Sequence, residues 1–212
     1  MHCFRLARSA GGGYTPPMPV PTHTPTRDEA WKLFQQHNST EGLIGHALSV
    51  EAVMRHYARL YGEDEGKWGV IGLVHDIDYE KFPQEHLKHA TGILEEAGFP
   101  PEYIHAVMSH GWGICSEVEP TERMEKVLFT IDELTGLVKA TALMRPSRSI
   151  LDMEASSVKK KWKDLKFAAG VNRSVIEKGA AMMGVEIPDL ITQTILGMRP
   201  VAREIGLAGT LG

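Results

Sequence analysis

The sequence predicts an all-α protein, and three observations carry that expectation. Apolar residues recur at three- and four-residue spacings, as in Ala30, Trp31, Leu33 and Phe34, and again in Leu43, Val50 and Val53. Helix-start signatures precede such stretches: Thr26-Arg-Asp-Glu29 and Ser174-Val-Ile-Glu177 each place a glutamate three residues after a hydroxyl, the spacing of a capping box. Strand-like alternation of any length is missing, and no internal repeat is found.

Taken in order, residues 1–25 read as a disordered leader. Gly11-Gly-Gly13 and the proline-rich run to Pro25 cannot bury enough apolar surface to order themselves. Arg5 and Arg8, with no acidic residue before Asp28, are only a weak echo of an organelle transit peptide. A first helix should run from Thr26 to about His37 and lie over the core. Ser39 and Thr40 supply a cap for a second, reaching about Tyr61, with His46 on its apolar face and His56 off it, in solvent.

After a charged turn at 62–66, Val70, Ile71, Leu73 and Val74 form a run with no polar face, so they predict a core helix that ends on His75-Asp76. A buried imidazole or carboxylate is costly unless hydrogen-bonded or bound to a metal, so the pair asks for a shared partner. A divalent cation would satisfy both. Beyond the pair the chain loosens through Pro83, which frees Asp78, Glu80 and Lys81 to face a ligand. A short helix is expected over Gln84 to Glu96, carrying His86 and His89. Another starts at Pro101 and ends beside His110, with His105 out of phase. An acidic loop then leads into a long helix, Met124 to Ala142, where Asp132 lies one turn after Leu128 against an apolar stripe.

Residues 26–144 thus read as one helical domain, with three helices aiming His46, His75, Asp76 and Asp132 at its interior. Residues 145–212 read as a helical extension whose Trp162, Phe167, Val175, Ile176, Met182 and Met183 need a surface to cover, and whose last helix runs from Pro188 to about Ile205. The extension is expected to close over the site. A chain of 212 residues can bury roughly 70% of its unfolded surface, enough for a sizeable core.

Composition excludes some functions. A net charge of −4 offers no general attraction to nucleic acid as a bulk polymer or to an anionic membrane, and no apolar run approaches the ~20 residues that cross a bilayer. The two cysteines, Cys3 and Cys115, form no disulfide framework and fit a reducing, cytoplasmic setting; Cys115 reads as structural. A homo-oligomer is left open.

Nitrogen and oxygen donors without thiolate suit manganese, iron, cobalt or magnesium in roughly octahedral geometry better than a closed structural zinc site, although zinc stays on the list. Asp76, Asp78 and Glu80 are the candidate catalytic carboxylates, with Asp78 and Glu80 able instead to orient a ligand histidine. Arg145 and Arg148 flank a Pro-Ser turn from which a guanidinium could reach an anionic group, a substrate phosphate if the resemblance below holds, whereas Lys159, Lys160 and Lys161 read as a solvated helix face.

The order His46 … His75-Asp76 … Asp132, each member on an apolar helix, resembles the HD-domain superfamily of metal-dependent phosphohydrolases, over about Glu41 to Gly136. The text His75-Asp-Ile-Asp-Tyr-Glu-Lys81 and Met108-Ser-His-Gly-Trp-Gly113 is similar to a subgroup of predicted hydrolases with unassigned substrates. The resemblance implies an HD-domain helical bundle and one or two divalent ions held by His46, His75, Asp76 and Asp132. It implies that His86 and His110 hold a second metal or the substrate phosphate; His89, roughly 300° further around a helix from His86, fits less well. The implied activity is hydrolysis of a small phosphate ester, a nucleotide or a related phosphorylated metabolite. Many members carry Gly and Lys where this chain has Asp78 and Tyr79, so a role resting on that Lys does not transfer. The rival is a non-catalytic module that binds metal and nucleotide; a minor variant is an oxygenase with two irons, as in some relatives.

Overall fold

Thr26 starts the first helix, α1 (Arg27–His37), through a reciprocal cap: its hydroxyl accepts from the Glu29 amide, and the Glu29 carboxylate accepts from the Thr26 amide at 2.8 Å. The computed structural model describes residues 23–211, so Cys3, Arg5, Arg8 and all but the end of the expected leader lie outside the described residues. Eight further helices follow: α2 (Glu41–Tyr61), α3 (Glu65–Val74), α4 (Ala90–Glu96), α5 (Pro101–Ser109), α6 (Arg123–Leu143), α7 (Ala155–Trp162), α8 (Arg173–Met183) and α9 (Ile187–Met198). Among the described residues there is no strand, only an isolated bridge between Trp112 and Ser116. The fold is all-α.

α2 is the hub, packed by α3, α6 and α9, while α8 lies along α6. α3 has no exposed face: every residue from Trp68 to Val74 is buried, as its unbroken apolar text requires. It approaches α2 closely because residue 72 is glycine; a Cβ there would meet the Val50 carbonyl at 3.2 Å and the Met54 side chain at 2.9 Å. Each large side chain buried in this way contributes about 1.5–3 kcal/mol. α1 covers α3 with Ala30 and Phe34. The C-terminal residues share this core: Ile150, Met153, Val158, Ile176, Leu190 and Ile191 are buried in the same apolar cluster as Val50 and Leu73. No helix of the described residues is long and apolar enough to cross a membrane.

Four local expectations are corrected. The Ser39 and Thr40 side chains do not cap α2; their amides and hydroxyls instead donate to Glu80, with the amides at 2.8 and 3.0 Å. The helix expected from Gln84 is only Ala90–Glu96, because Leu87 takes φ 69° and the Asp78 carboxylate reaches in to accept from the amides of His89 (3.1 Å) and Ala90 (3.0 Å). The Ser174-to-Glu177 box does not form: α8 starts two residues earlier than that cap would place it, Asn172 caps it by accepting from the Ser174 amide, and Glu177 accepts from the Trp162 indole. The last helix stops at Met198 and passes into a 3-10 turn, Arg199–Val201.

Two outcomes follow from this packing. A Cβ at Gly179 of α8 would land on Thr130 of α6, whose own Cβ would stand 2.7 Å away. Gly179→Ala is therefore expected to cost about 1–3 kcal/mol, read as a lower urea midpoint. Glu80 is held down to a pKa of about 2 by the Thr40 and Ser39 amides, from an ordinary 4.5. A depressed carboxylate adds stability that is fully present above its unfolded pKa and lost as the pH falls to the folded one. The stability gap between wild type and Glu80→Gln should thus be constant above about pH 5 and close between there and pH 2, as followed by urea titrations across that range.

Candidate metal centre

Helix ends and one helix face build the site. α2 presents His46 and α6 presents Asp132, while His75 caps the C-terminus of α3 and Asp76 follows it. His46 Nε2 lies 2.8 Å from Asp132 Oδ1 and 3.1 Å from His75 Nε2. His75 Nε2 stands 3.3 Å from both Asp76 Oδ2 and Asp132 Oδ1, and His46 Nε2 is 3.5 Å from Asp76 Oδ2. Cis donors about 2.1 Å from one octahedral ion sit about 3 Å apart, so these spacings are those of a coordination shell.

A second group shares the same carboxylate. Asp76 Oδ1 lies 3.3 Å from His86 Nε2 and 3.6 Å from His110 Nε2, and those two nitrogens are 3.1 Å apart. Asp76 is therefore placed to bridge, with one oxygen toward each group; both triads, His46-His75-Asp76 and Asp76-His86-His110, have the spacing to hold an ion.

The ring orientations test that fit. His75 Nδ1 donates to the Gly72 carbonyl at 2.8 Å and His110 Nδ1 to the Val107 carbonyl at 2.6 Å. His86 Nδ1 donates to Asp78 Oδ1 at 2.9 Å. Thr135 Oγ1, whose own proton goes to the Asp132 carbonyl at 2.7 Å, stands 3.5 Å from His46 Nδ1 as an acceptor. With each Nδ1 carrying the proton, all four Nε2 atoms are lone-pair donors. His86 and His110 then face each other lone pair to lone pair across 3.1 Å, an arrangement that a cation between them resolves. The residues fit a divalent metal.

Charge is balanced within the group. Burial alone would lower the His75 pKa, but the Asp76 and Asp132 carboxylates outweigh it and hold the pKa well above the usual imidazole range. Burial likewise opposes ionisation of Asp76 and Asp132, and the surrounding imidazoles reverse it, His75 foremost for Asp76 and His46 for Asp132. Both carboxylates are thus held ionised, the form in which they can serve as ligands.

The groups open into a cavity of about 410 Å³. Its polar floor is His46, Asp76, His86, His110, Asp132 and Glu133; Leu43, Tyr79, Ile114, Val171 and Val175 line the rest, with Cys115 beside Gly111. Glu133 was not singled out in the sequence, where it is hidden behind Asp132. Burial and the charge of Asp132 push its carboxyl up, against the pull of the Asn172 amide, which donates to Glu133 Oε2 at 2.9 Å. Burial also raises the Cys115 thiol.

Several residues expected at the site are engaged elsewhere. Asp78 is fully buried and does not face the cavity; it orients His86 and caps α4. Glu80 is taken up by Ser39 and Thr40, so neither carboxylate is free to act as a base on a ligand. Lys81 donates to the Gln36 carbonyl. Arg145 donates to Ser157 Oγ and to Asp152, and exposed Arg148 stays outside the cavity lining, because the turn they flank folds back on α7. His56 is half-buried, with Nε2 2.8 Å from Gln193 Oε1, and not a solvated residue. His105 pairs with Glu125, and His89 stacks on Phe82.

Residues 43–136 match the family model described as HD domain, a stretch running from α2 into α6 that includes all six histidines and aspartates of the two triads and Asp132. No curated protein and no solved structure matches the chain significantly.

Asp78→Ala removes the acceptor that fixes the His86 ring, and loss of such a partner typically costs 10–100-fold in metal affinity, roughly. Calorimetric titration with manganese should show that loss in the Asp76-His86-His110 group, with the His46-His75 group retained and helicity by circular dichroism close to wild type.

Proposed function

We propose that this chain hydrolyses a small phosphate ester, a nucleotide or a related phosphorylated metabolite, on the ground that residues 43–136 match the HD-domain family model, a family whose members are in general metal-dependent phosphohydrolases. The observation that carries the reading is the convergence of four imidazole lone pairs on the two oxygens of Asp76 and on Asp132. His46, His75, Asp76 and Asp132 are the proposed ligands of one divalent ion. Asp76, His86 and His110 are those of a second.

A divalent ion in this setting polarises a phosphoryl oxygen and lowers the pKa of a water near it. The chain's own groups do the remaining work. The Gly72 and Val107 carbonyls hold His75 and His110 in the tautomer that leaves Nε2 free, and Asp78 does the same for His86. Asp76 fixes the separation of the two groups. Glu133, the lining carboxyl raised by burial, is placed to hold a proton for the departing alkoxide. Leu43, Val171 and Val175 keep bulk water away from the reacting end of the cavity.

Metal analysis of wild type and Asp76→Ala after reconstitution with manganese or iron tests the ligand set. Wild type should retain one or two ions per chain and the variant should lose both, with phosphatase activity on a nucleotide and phosphomonoester panel falling by about 100-fold or more. Protein without bound metal in either form would overturn the reading. A nucleotide bound and recovered intact would identify the non-catalytic module instead.

A further inference from the structure

No lysine or arginine lines the metal cavity among the described residues. That is not for want of basic residues on the elements that wall it. Arg173 of α8 turns back, its guanidinium donating to the carbonyls of Asp164 at 3.0 Å and Phe167 at 2.7 Å. Lys178, on the same helix, places its ammonium 3.3 Å from the centre of the Trp112 ring. Lys139 of α6 lines a separate hollow beside Gly45, and Lys126 another beside Tyr61. Arg145 and Lys81 are tied to Asp152 and the Gln36 carbonyl.

What does line the cavity is three carboxyl groups, Asp76, Asp132 and Glu133, the imidazoles of His46, His86 and His110, and beside them mostly apolar groups, with Tyr79 and Cys115 among them. Two divalent ions at this floor would leave it with one or two net positive charges, according to whether Glu133 holds its proton, which suits a single phosphoryl group. Above it, Leu43, Val171 and Val175 offer no hydrogen-bond donor, and the rim is Ile114 and the ring of Tyr79, 61% and 41% exposed. A second or third phosphate would lie against these walls with its charge unpaired, a costly placement.

We infer that the site takes phosphate monoesters carrying a compact apolar or aromatic body, and discriminates against di- and triphosphates. The inference rests on the phosphohydrolase reading above and narrows its substrate class. Selection comes from the walls: an apolar body is buried against Leu43, Val171 and Val175, and polyphosphates lack a cation to pair with.

The full chain loaded with manganese provides the test, with binding read by calorimetry and turnover by phosphate release. Phenylphosphonate, which cannot be hydrolysed, should bind at least about tenfold more tightly than methylphosphonate, the scale at which apolar pockets discriminate. Phenyl phosphate and adenosine monophosphate should exceed adenosine di- and triphosphate in kcat/KM by a similar factor, about tenfold. Ile114→Lys, at an exposed rim position, should raise adenosine diphosphate affinity by roughly tenfold at low salt, an effect that fades with ionic strength. Equal binding of the two phosphonates, a wild-type preference for the di- or triphosphate, or no gain in Ile114→Lys would overturn the inference and leave the phosphohydrolase reading standing. Failure to bind either phosphonate or to hydrolyse any of the esters would instead remove that reading, and the inference with it.

Discussion

The constraint on which this structure turns is the burial of Asp76 among imidazoles. A carboxylate sequestered in an apolar interior is unfavourable unless both oxygens are engaged, and here one faces His46 and His75 while the other faces His86 and His110. Four segments of chain, α2, the end of α3, the turn before α4 and the end of α5, must meet at one residue for that to hold. The apolar part of α3, Trp68 to Val74, delivers it: a segment buried on every side can go only through the centre of the domain, so whatever follows its last turn emerges there.

Helix termini do a second service. The last carbonyls of a helix have no intrahelical donor, and both α3 and α5 end on a histidine whose Nδ1 turns back to the carbonyl three residues earlier, Gly72 for His75 and Val107 for His110. Each contact ties the ring to the helix end, at Val107 alongside the His110 amide that donates to the same carbonyl, and selects the tautomer that aims Nε2 at Asp76. Helix termination and ligand orientation are the same hydrogen bond.

Much of this was readable in the amino-acid order, for reasons that differ by residue. The helical class and most helix starts follow from periodicity and capping signatures, as at Thr26 and Pro101, which act within one turn. His46 and Asp132 were visible because each interrupts an apolar face, and His75-Asp76 because it ends an apolar run. Between Asp78 and His89 the place of His86 and the orienting alternative for Asp78 were legible, but the helix start and the partners of Glu80 were not, because they are tertiary. Glu80 answers amides forty residues back, and Asp78 stops a helix that local propensity would have started at Gln84. Arg145 and Arg148 were expected at the site on the strength of a turn whose direction is set by Asp152 and Ser157, side chains that sequence alone does not rank above a phosphate. Glu133 gave no signal of its own beside Asp132.

The cavity's two ends come from different parts of the chain. Every proposed ligand lies between His46 and Asp132, on or beside the most deeply buried helices, whereas Val171 and Val175 arrive from α8 and the loop before it. The two regions differ in what a substitution would disturb. A substitution at the floor disturbs a buried network of imidazoles and carboxylates, whereas a change at Val171 or Val175 reshapes the wall and leaves that network intact. What the cavity accepts can therefore be altered from the helix that carries none of the clustered histidines and aspartates, without touching the groups at its floor.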